Sequence, residues 1–411
     1  MEQNTYSRAV LQQRLTALFN GDTWQYLGTN SDLRLAEGQI AGRKVMVIAT
    51  DPAAALGTFG VNECIDFKWA VLRARATGHP IVLLIDSAGT RLTAGLPVQG
   101  AIRALMREVL NARLAEVPML AAVGRYAFGS GSMLSFSADA RVYSAQTQLA
   151  MSGPRVLQAA LPDGVSRDTV TQTINGVSRA AAGNAETLID DDLAAYASAV
   201  SAWVARPVTA GVTQATLRAQ RQHLSQRLAD KAQHALANTD GPVLCDDTVH
   251  CVMDRAFGAA DAIVLAGLME SACAQAPQRS MTLIMDCPGH SILLADEAVI
   301  LSEYLAHLAL SLRYLVYNGA SIRLRITGTL SGGIYICLAA ATSNTELAPG
   351  ATIRTLPVSS LVSIFGSEMN EKISSDSYIE WGLVDSMALA SDAPAQRSET
   401  MTVPRKTHAS V

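Results

Sequence analysis

The hydrophobic pattern of the chain repeats after about 200 residues. Residues 81–85 are an apolar run that ends at Asp86 and Gly89, and a long helical pattern and a second apolar run over residues 119–123 follow. Residues 281–285 are a similar run that ends at Asp286 and Gly289, and the same succession of patterns follows. The pattern of each copy predicts a buried strand, a helix and a second strand. The fixed spacing therefore indicates two copies of one α/β unit.

Glycines interrupt both copies after the second strand. The first copy breaks at residues 124 and 129–131, and the second at residues 328 and 332–333. A helix that begins at such a bend presents N–H groups without partners inside the helix, at the positive end of its dipole. Because glycine has no Cβ, a ligand oxygen can approach these groups closely. We therefore predict one oxyanion hole at Gly129, Ser130 and Gly131, and another at Gly332 and Gly333.

Breaks in the pattern suggest the domain organisation. An amphipathic helix is expected near the start, ending at residues 20–22. We predict a first domain over residues 1–205, a helical linker over residues 206–241, a second domain over residues 242–390 and a disordered tail over residues 391–411. The glycine-containing segment 56–60 either covers the site as a loop or is an ordinary connection.

Composition excludes several functional classes. Hydrophobic residues make up 49% of the chain and charged residues 17%, so large buried surfaces are expected, subunit contacts among them. A net charge of −4 and few aromatic residues argue against a nucleic-acid-binding protein. The six cysteines form neither a disulfide pattern nor a zinc-binding spacing, so no metal is expected. The absence of a signal-like start or a long apolar run favours a cytoplasmic protein without membrane contact.

A few side chains near the bends are chemical candidates. Arg91 and Arg125 lie close to the glycine turns of the first copy, and each is either paired within the protein or binds a carboxylate or phosphate. His290 follows the turn of the second copy and is either a satisfied buried side chain or a proton donor or substrate ligand. The sequence contains no phosphate-loop, dinucleotide-binding, nucleophile-elbow or HExxH motif. This pattern favours catalysis by backbone donors.

These motifs, in this order, resemble the carboxyltransferases of the crotonase superfamily. The likeness is closer to biotin-independent malonate decarboxylase. Residues 86–92, 124–133 and 149–154 are similar to its β subunit, and residues 286–290, 328–333 and 351–361 to its γ subunit. The resemblance implies an α/β fold of two tandem crotonase-like (ββα-spiral) domains, with the two subunits fused. The chain departs from the family at residues 88–90 and 129–131, where the family usually has a Gly-Gly pair.

The resemblance also implies a reaction. A malonyl or substituted malonyl thioester, carried on the phosphopantetheine of an acyl-carrier protein or on CoA, would lose CO₂ through an enolate, without a covalently bound cofactor. His290 or water would protonate the carbanion. Further contacts to the substrate are expected from six residues, namely Ala88, Gly89, Arg91, Arg125, Gly289 and Ser331. The family also implies a homodimer or a higher homo-oligomer, with the site between a first and a second unit.

Other functions remain open at this stage. The chain is alternatively the carboxyltransferase subunit of a biotin-dependent acyl-CoA carboxylase, whose biotin would be on a separate subunit. It is otherwise a binding protein that retained the fold without the chemistry, or a hydratase-like or hydrolase-like relative, because one fold hosts many reactions.

Overall fold

The fold was analysed in a computed structural model, which describes residues 5–19, 23–206, 211–231, 241–274, 276–365 and 373–388. The predicted tail over residues 391–411 and the predicted end of the first helix at residues 20–22 lie outside the described residues. We call the part of the chain that builds the larger sheet the first half, and the part that builds the smaller sheet the second half.

The first half forms a sheet in the order β1-β2-β3-β4-β5-β6-β8, and β7 pairs with the far end of β5. Its pairs are parallel from β3 onward, and β1 to β3 are antiparallel. The strands are β1 (Trp24–Leu27), β2 (Arg34–Ile40), β3 (Arg43–Ala49), β4 (Ile81–Ser87), β5 (Met119–Phe128), β6 (Ala140–Ser144), β7 (Gln148–Ala150) and β8 (Glu186–Ile189). The helices are α1 (Leu11–Leu18), α2 (Val61–Thr77), α3 (Pro97–Leu114), α4 (Ser130–Ser137), α5 (Pro154–Ala159), α6 (Asp168–Ile174), α7 (Gly176–Ala182) and α8 (Leu193–Val204).

The second half forms a sheet in the order β16-β14-β12-β11-β10-β9, which is parallel except for β9. A separate parallel pair joins β13 to β15. The strands are β9 (Val243–Cys245), β10 (Thr248–Val252), β11 (Ser280–Asp286), β12 (Ser321–Ile326), β13 (Thr329–Ser331), β14 (Asn344–Leu347), β15 (Thr352–Arg354) and β16 (Ser386–Met387). The helices are α9 (Gln214–Asp230), α10 (Ala259–Ala274), α11 (Leu294–Ala298), α12 (Leu301–Tyr317), α13 (Gly332–Ala341), α14 (Val358–Phe365) and α15 (Ser375–Glu380). The fold is therefore mixed α/β with parallel sheets, as the apolar strands predict.

In each half, an aspartate at the end of the central strand contacts a glycine that follows the next strand or lies within it. Asp86 is fully buried at the end of β4, where it pairs with Arg14 and accepts the N–H of Arg125. A Cβ on Gly124 would lie 2.1 Å from Asp86 Oδ2. In the second half, Asp286 accepts the N–H of Thr329 at 2.9 Å, and a Cβ on Gly328 would lie 2.2 Å from its carboxylate oxygens. Glycine at these two positions is thus required by the carboxylate that lies against it, which is buried at Asp86 and half-buried at Asp286.

The turn after each central strand is also repeated. Phe59 donates its N–H to the Gly89 carbonyl at 2.9 Å, and Phe257 donates to the Gly289 carbonyl at 2.8 Å. The bridges that result join Phe59 to Thr90 and Phe257 to His290. Thr90 and His290 therefore occupy equivalent positions in the two halves.

Helices of the two halves pack crosswise. The short α4 of the first half packs on α12, and α13 of the second half packs on α3. Arg103 donates to the Ala339 carbonyl at 3.1 Å, and Arg107 to that of Ala340, both at the C-terminal end of α13. Cations at this end of a helix satisfy carbonyls without internal partners and complement the dipole. These contacts join α3 and α4 of the first half to α12 and α13 of the second.

Helix α9 lies within the stretch predicted as a linker, but it packs as part of the second half. Leu217, Leu224 and Leu228 are buried, and Arg227 forms a buried ion pair with Glu303 at 2.6 Å. The sequence did not predict that α9 packs on the second half, because only a narrow stripe of this mostly polar helix is apolar. In the described part of the chain, no helix combines the length and hydrophobicity that crossing a membrane requires.

We predict that Gly124→Ala destabilises the protein by about 2–4 kcal/mol, because the added methyl group must displace a buried, ion-paired carboxylate. Gly328→Ala should have a smaller effect in the same direction, because the carboxylate of Asp286 is only half-buried. Chemical denaturation measures both, and Gly28→Ala is the matched control, since a Cβ there has no atom within 4 Å. Equal midpoints for Gly124→Ala and Gly28→Ala would contradict this account of the repeat.

Candidate active site

A cavity of about 680 Å³ lies between the two halves of the chain. It is bounded by both glycine bends, by the turns after β4 and β11, and by the start of α5. Its apolar wall includes Met133, Met151, Val156, Ile336 and Leu356. Of the predicted site residues, those that line it are Ala88, Gly89, Arg91, Gly129, Ser130, His290, Gly332 and Gly333.

The first bend presents the start of α4 to the cavity. Gly129 has φ 53° and ψ −121°, a conformation that favours glycine. Its N–H donates to the Ala150 carbonyl at 3.1 Å, so Gly129 shapes the bend without offering a free donor. Ser130 begins α4, and the N–H of a first helical residue has no partner within its helix. Gly131 lies behind the cavity, against Ser87. The Ser130 amide is therefore the main candidate donor of this bend.

The second bend is partly closed. Gly332 has φ +63° and begins α13. The N–H of Gly333 donates to His290 Nδ1 at 3.1 Å, and a Cβ on Gly333 would lie 2.6 Å from Met151 Cε. Gly333 was predicted as an oxyanion donor, but a histidine of the protein accepts its hydrogen bond. This leaves the Gly332 amide as the candidate donor of the bend.

His290 is a neutral, buried histidine. Its side chain is 2% exposed, and burial lowers its pKa from 6.5 to about 4. Because a backbone N–H can only donate, Nδ1 is the acceptor, and in the neutral ring the proton is on Nε2. Nε2 lies 3.4 Å from Ser152 Oγ. His290 is thus suited to donating a hydrogen bond, and it is a poor source of a proton at neutral pH.

A buried ion pair across the two halves holds the Ser152 segment. Glu297 of the second half accepts the Ser152 N–H at 2.9 Å and pairs with Arg179 of the first half at 3.3 Å. Arg179 also donates to the Leu149 carbonyl at 2.8 Å. Burial raises the pKa of Glu297 to about 7, against the opposing effect of Arg179. This pair could not be predicted from the sequence, because its Glu and its Arg are more than 100 residues apart and have no local pattern in common.

The predicted arginines have different environments. Arg91 lines the cavity, but its guanidinium pairs with Glu63 at 2.9 Å and donates to the Thr58 carbonyl. Arg125 is exposed and is not among the described residues that line the cavity. Arg155, which sequence analysis missed, is exposed at the start of α5 and lines the cavity. Among the described residues it forms no ion pair. The sequence signal that could have indicated its place at the start of a helix is the preceding Pro154.

The other residues predicted to contact the substrate hold the backbone of the turns around the cavity. Gly89 has φ +95°, and a Cβ there would lie 2.8 Å from the Phe128 carbonyl oxygen. The carbonyl of Gly289 accepts the Phe257 N–H, and the Ser331 hydroxyl donates to the Pro288 carbonyl at 2.5 Å. Leu56 lines the cavity, so the segment over residues 56–60 does border the site. No group of three metal-ligating side chains occurs in the ranges that the structure describes.

Comparison with protein families identifies part of the chain. Residues 28–231 match the model of the carboxyl transferase domain. This segment is similar to a carboxyl transferase domain. The match indicates an enzyme that acts on carboxyl groups. It begins directly after β1 and ends directly after α9, so it covers the first sheet except β1. No curated protein matches the chain.

Solved structures show distant likenesses. The Pseudomonas malonate decarboxylase MdcD–MdcE hetero-dimer shares 20% identity over 50% of this chain and 90% of that one, with a TM-score of 0.44. The transcarboxylase 12S core shares 13% identity over 98% of this chain and 92% of that one, with a TM-score of 0.43. The P. aeruginosa geranyl-CoA carboxylase β subunit shares 13% identity over 84% and 73%, with a TM-score of 0.41.

The neutral histidine predicts how stability depends on pH. The unfolded chain protonates His290 near pH 6.5 and the folded chain near pH 4, so its contribution is complete above pH 6.5 and is lost as the pH falls through 4. We expect His290→Gln to reduce this acid-induced loss by up to ~3 kcal/mol. His307, whose pKa burial also lowers to about 4, should behave in the same way. Urea denaturation of His290→Gln and His307→Gln between pH 4 and 7 measures the effect, and an unchanged pH dependence of stability in both variants would contradict it.

Proposed function

We propose that the protein is a biotin-independent decarboxylase of a malonyl or substituted malonyl thioester carried on an acyl-carrier protein or on CoA. The observation that carries the proposal is the single cavity into which both glycine bends, one from each half, present the start of a helix. The reaction generates negative charge on one oxygen while a carboxylate departs. One neutral amide donor from each bend, Ser130 and Gly332, suits these two groups.

The proposed reaction breaks one carbon–carbon bond. The carboxylate of the malonyl group leaves as CO₂, and the electron pair of the broken bond becomes the enolate of the thioester. A proton then adds to the α carbon and gives the acetyl-type thioester. Because His290 is neutral and its Nε2–H is a very weak acid, water is the proton source in this scheme. This revises the expectation that His290 or water supplies the proton.

The two bends would have different tasks. The Ser130 amide, at the positive end of α4, would hold the thioester oxygen as it becomes an enolate. The Gly332 amide would orient the departing carboxylate. Loss of one oxyanion donor typically costs ~3 kcal/mol in the barrier. Such donors act strongly here because the cavity wall is largely apolar, and electrostatic interactions are stronger at low dielectric.

The mouth of the cavity offers a contact for the carrier. Arg155 presents a cation without an ion-pair partner among the described residues, and both carriers bear a phosphate at the end of the pantetheine arm. A guanidinium binds phosphate through paired hydrogen bonds. Arg155 replaces Arg125 in this role in the proposal, because Arg155 lines the cavity and Arg125 is not among its lining residues.

The other expectations remain part of the proposal. We propose that no covalently bound cofactor or metal takes part, and that the two halves are tandem crotonase-like domains equivalent to fused β and γ subunits of malonate decarboxylase. A homodimer or higher homo-oligomer and a cytoplasmic location are also proposed. The main alternative, a biotin-dependent carboxyltransferase, would use the same enolate but would pass the carboxyl group to or from biotin.

The first experiment measures CO₂ release from malonyl-CoA and from malonyl-acyl-carrier protein, with mass spectrometry of both products. We expect turnover without ATP or biotin and without inhibition by avidin. Exchange of carboxyl groups that requires biotin would support the alternative. No turnover with any short malonyl thioester, in a folded protein, would refute the proposal.

Replacing one bend residue tests the role of the cavity. In Gly332→Ala, the added Cβ would lie 2.6 Å from His290 Nδ1, so we expect about a 100-fold decrease in kcat. Gly350→Ala is the matched control. It has the same kind of strained backbone, with φ +81°, but its Cβ would have no atom within 4 Å. The strain should cost each variant about 1 kcal/mol of stability, and Gly332→Ala should lose more because its Cβ displaces the buried His290 ring. Equal activity in the two variants would indicate a binding protein or a different site.

A further inference from the structure

Three hydrogen-bonding groups in the cavity wall form a chain that crosses the two halves. The Gly333 N–H donates to His290 Nδ1 at 3.1 Å, and His290 Nε2 lies 3.4 Å from Ser152 Oγ. His290 and Ser152 are both buried and both line the cavity. Ser152 belongs to the first half, while His290 and Gly333 belong to the second.

The first member of the chain fixes its direction. An amide N–H cannot accept, so Nδ1 must be the acceptor and Nε2 must bear the proton of the neutral ring. Nε2–H can then only donate, and Ser152 Oγ is the acceptor within reach. The hydroxyl proton of Ser152 must therefore point elsewhere. Among the described residues no other group accepts it, and the cavity is the space that Ser152 faces.

The position of Ser152 is fixed independently of this chain. Its backbone N–H donates to Glu297 Oε1 at 2.9 Å, and Glu297 is held by the buried Arg179. Two anchors from the second half, Glu297 at the backbone and His290 at the side chain, thus set the orientation of one serine of the first half.

We propose that the Ser152 hydroxyl is a catalytic hydrogen-bond donor, directed by the Gly333–His290 pair towards the thioester oxygen as it becomes an enolate. Gly333 and His290 are positioning residues in this scheme. No proton is transferred between Ser152, His290 and the substrate during loss of CO₂. The hydroxyl only strengthens its hydrogen bond as charge develops, and polarisation by the neutral His290 donor makes it a better donor than an isolated serine.

The same geometry argues against a nucleophilic serine. A general base must take the serine proton on Nε2, but Nε2 already has a proton when Nδ1 is the acceptor. The chain is therefore oriented for donation into the cavity and not for activation of Ser152. The 3.4 Å separation also suits a bond that tightens when substrate binds.

The tautomer is the first test, and it does not depend on the proposed function. Nitrogen-15 NMR of the protein labelled at its seven histidines reports which ring nitrogen bears the proton, and the signal lost in His290→Ala assigns His290. We expect His290 protonated at Nε2 only, from pH 6 to 8. Protonation at Nδ1 would overturn the inference, whatever activity the protein has.

Kinetics with malonyl-CoA are the second test, and they rest on the proposed function. We expect Ser152→Ala to lower kcat by about 10- to 100-fold with KM within about threefold, because the donor acts on charge that is absent from the ground state. The kcat of Ser152→Cys, whose thiol is a weaker donor, should lie between that of the wild-type protein and that of Ser152→Ala. A change in KM alone, or equal kcat in all three proteins, would overturn the role of Ser152.

The chain provides a matched control. Ser311 Oγ also lies 3.4 Å from a buried histidine, at Nε2 of His307, but neither residue lines the proposed active-site cavity. Ser311→Ala should keep wild-type kcat and KM, and an equal decrease there would mark the Ser152 effect as structural. If wild-type protein decarboxylates no malonyl thioester, the proposed function fails, while the His290 tautomer still decides whether the directed chain exists.

Discussion

The buried carboxylate of Asp86 is the constraint on which the geometry of the first bend depends. A fully buried carboxylate is costly unless it is paired and hydrogen-bonded, and Arg14 and the amide of Arg125 supply these partners. The Arg14 guanidinium also lies over the Tyr6 ring, 4.5 Å from its centroid. The carboxylate thereby joins the N-terminal helix, β4 and the continuation of β5 at one point. The path of β5 beyond Gly124, which leads directly to the bend at Gly129, follows from this junction.

The second half uses the same carboxylate with different partners, and the two bends differ as a result. Asp286 holds the Thr329 amide, and the chain enters α13 through an extended Ser331 that is followed by Gly332 with φ +63°. The first half enters α4 through Gly129 with a positive φ. At the equivalent turn the first half has Thr90 and the second has His290. At the first bend of the cavity, the start of the helix therefore meets no histidine. At the second bend, His290 accepts one of the helix-start amides. In the proposed mechanism, the bend of the first half therefore binds the enolate oxygen and that of the second half orients the departing carboxylate.

Sequence patterns predicted the elements that depend on local periodicity and on glycine. The parallel strands, the helices that follow them and the bends near Ser130 and Gly332 were all predicted from spacing. What could not be predicted was which amides are already engaged, because the acceptors of Gly129 and Gly333 are distant in sequence. The Arg179–Glu297 pair was missed for the same reason. Periodicity indicates which face of an element is buried, but it does not identify the partner across a domain interface.

The pairing of the arginines has a consequence for the proposed decarboxylation. A free guanidinium inside the cavity would bind the malonyl carboxylate through two strong hydrogen bonds and would stabilise the ground state. Arg91 is instead neutralised by Glu63, and the apolar side chains of Met133 and Met151 lie next to the second bend. A carboxylate held there by neutral donors is bound less tightly than an enolate that faces the start of α4. Since only the difference between the two states lowers the barrier, weak binding of the departing group favours the reaction as much as strong binding of the enolate does.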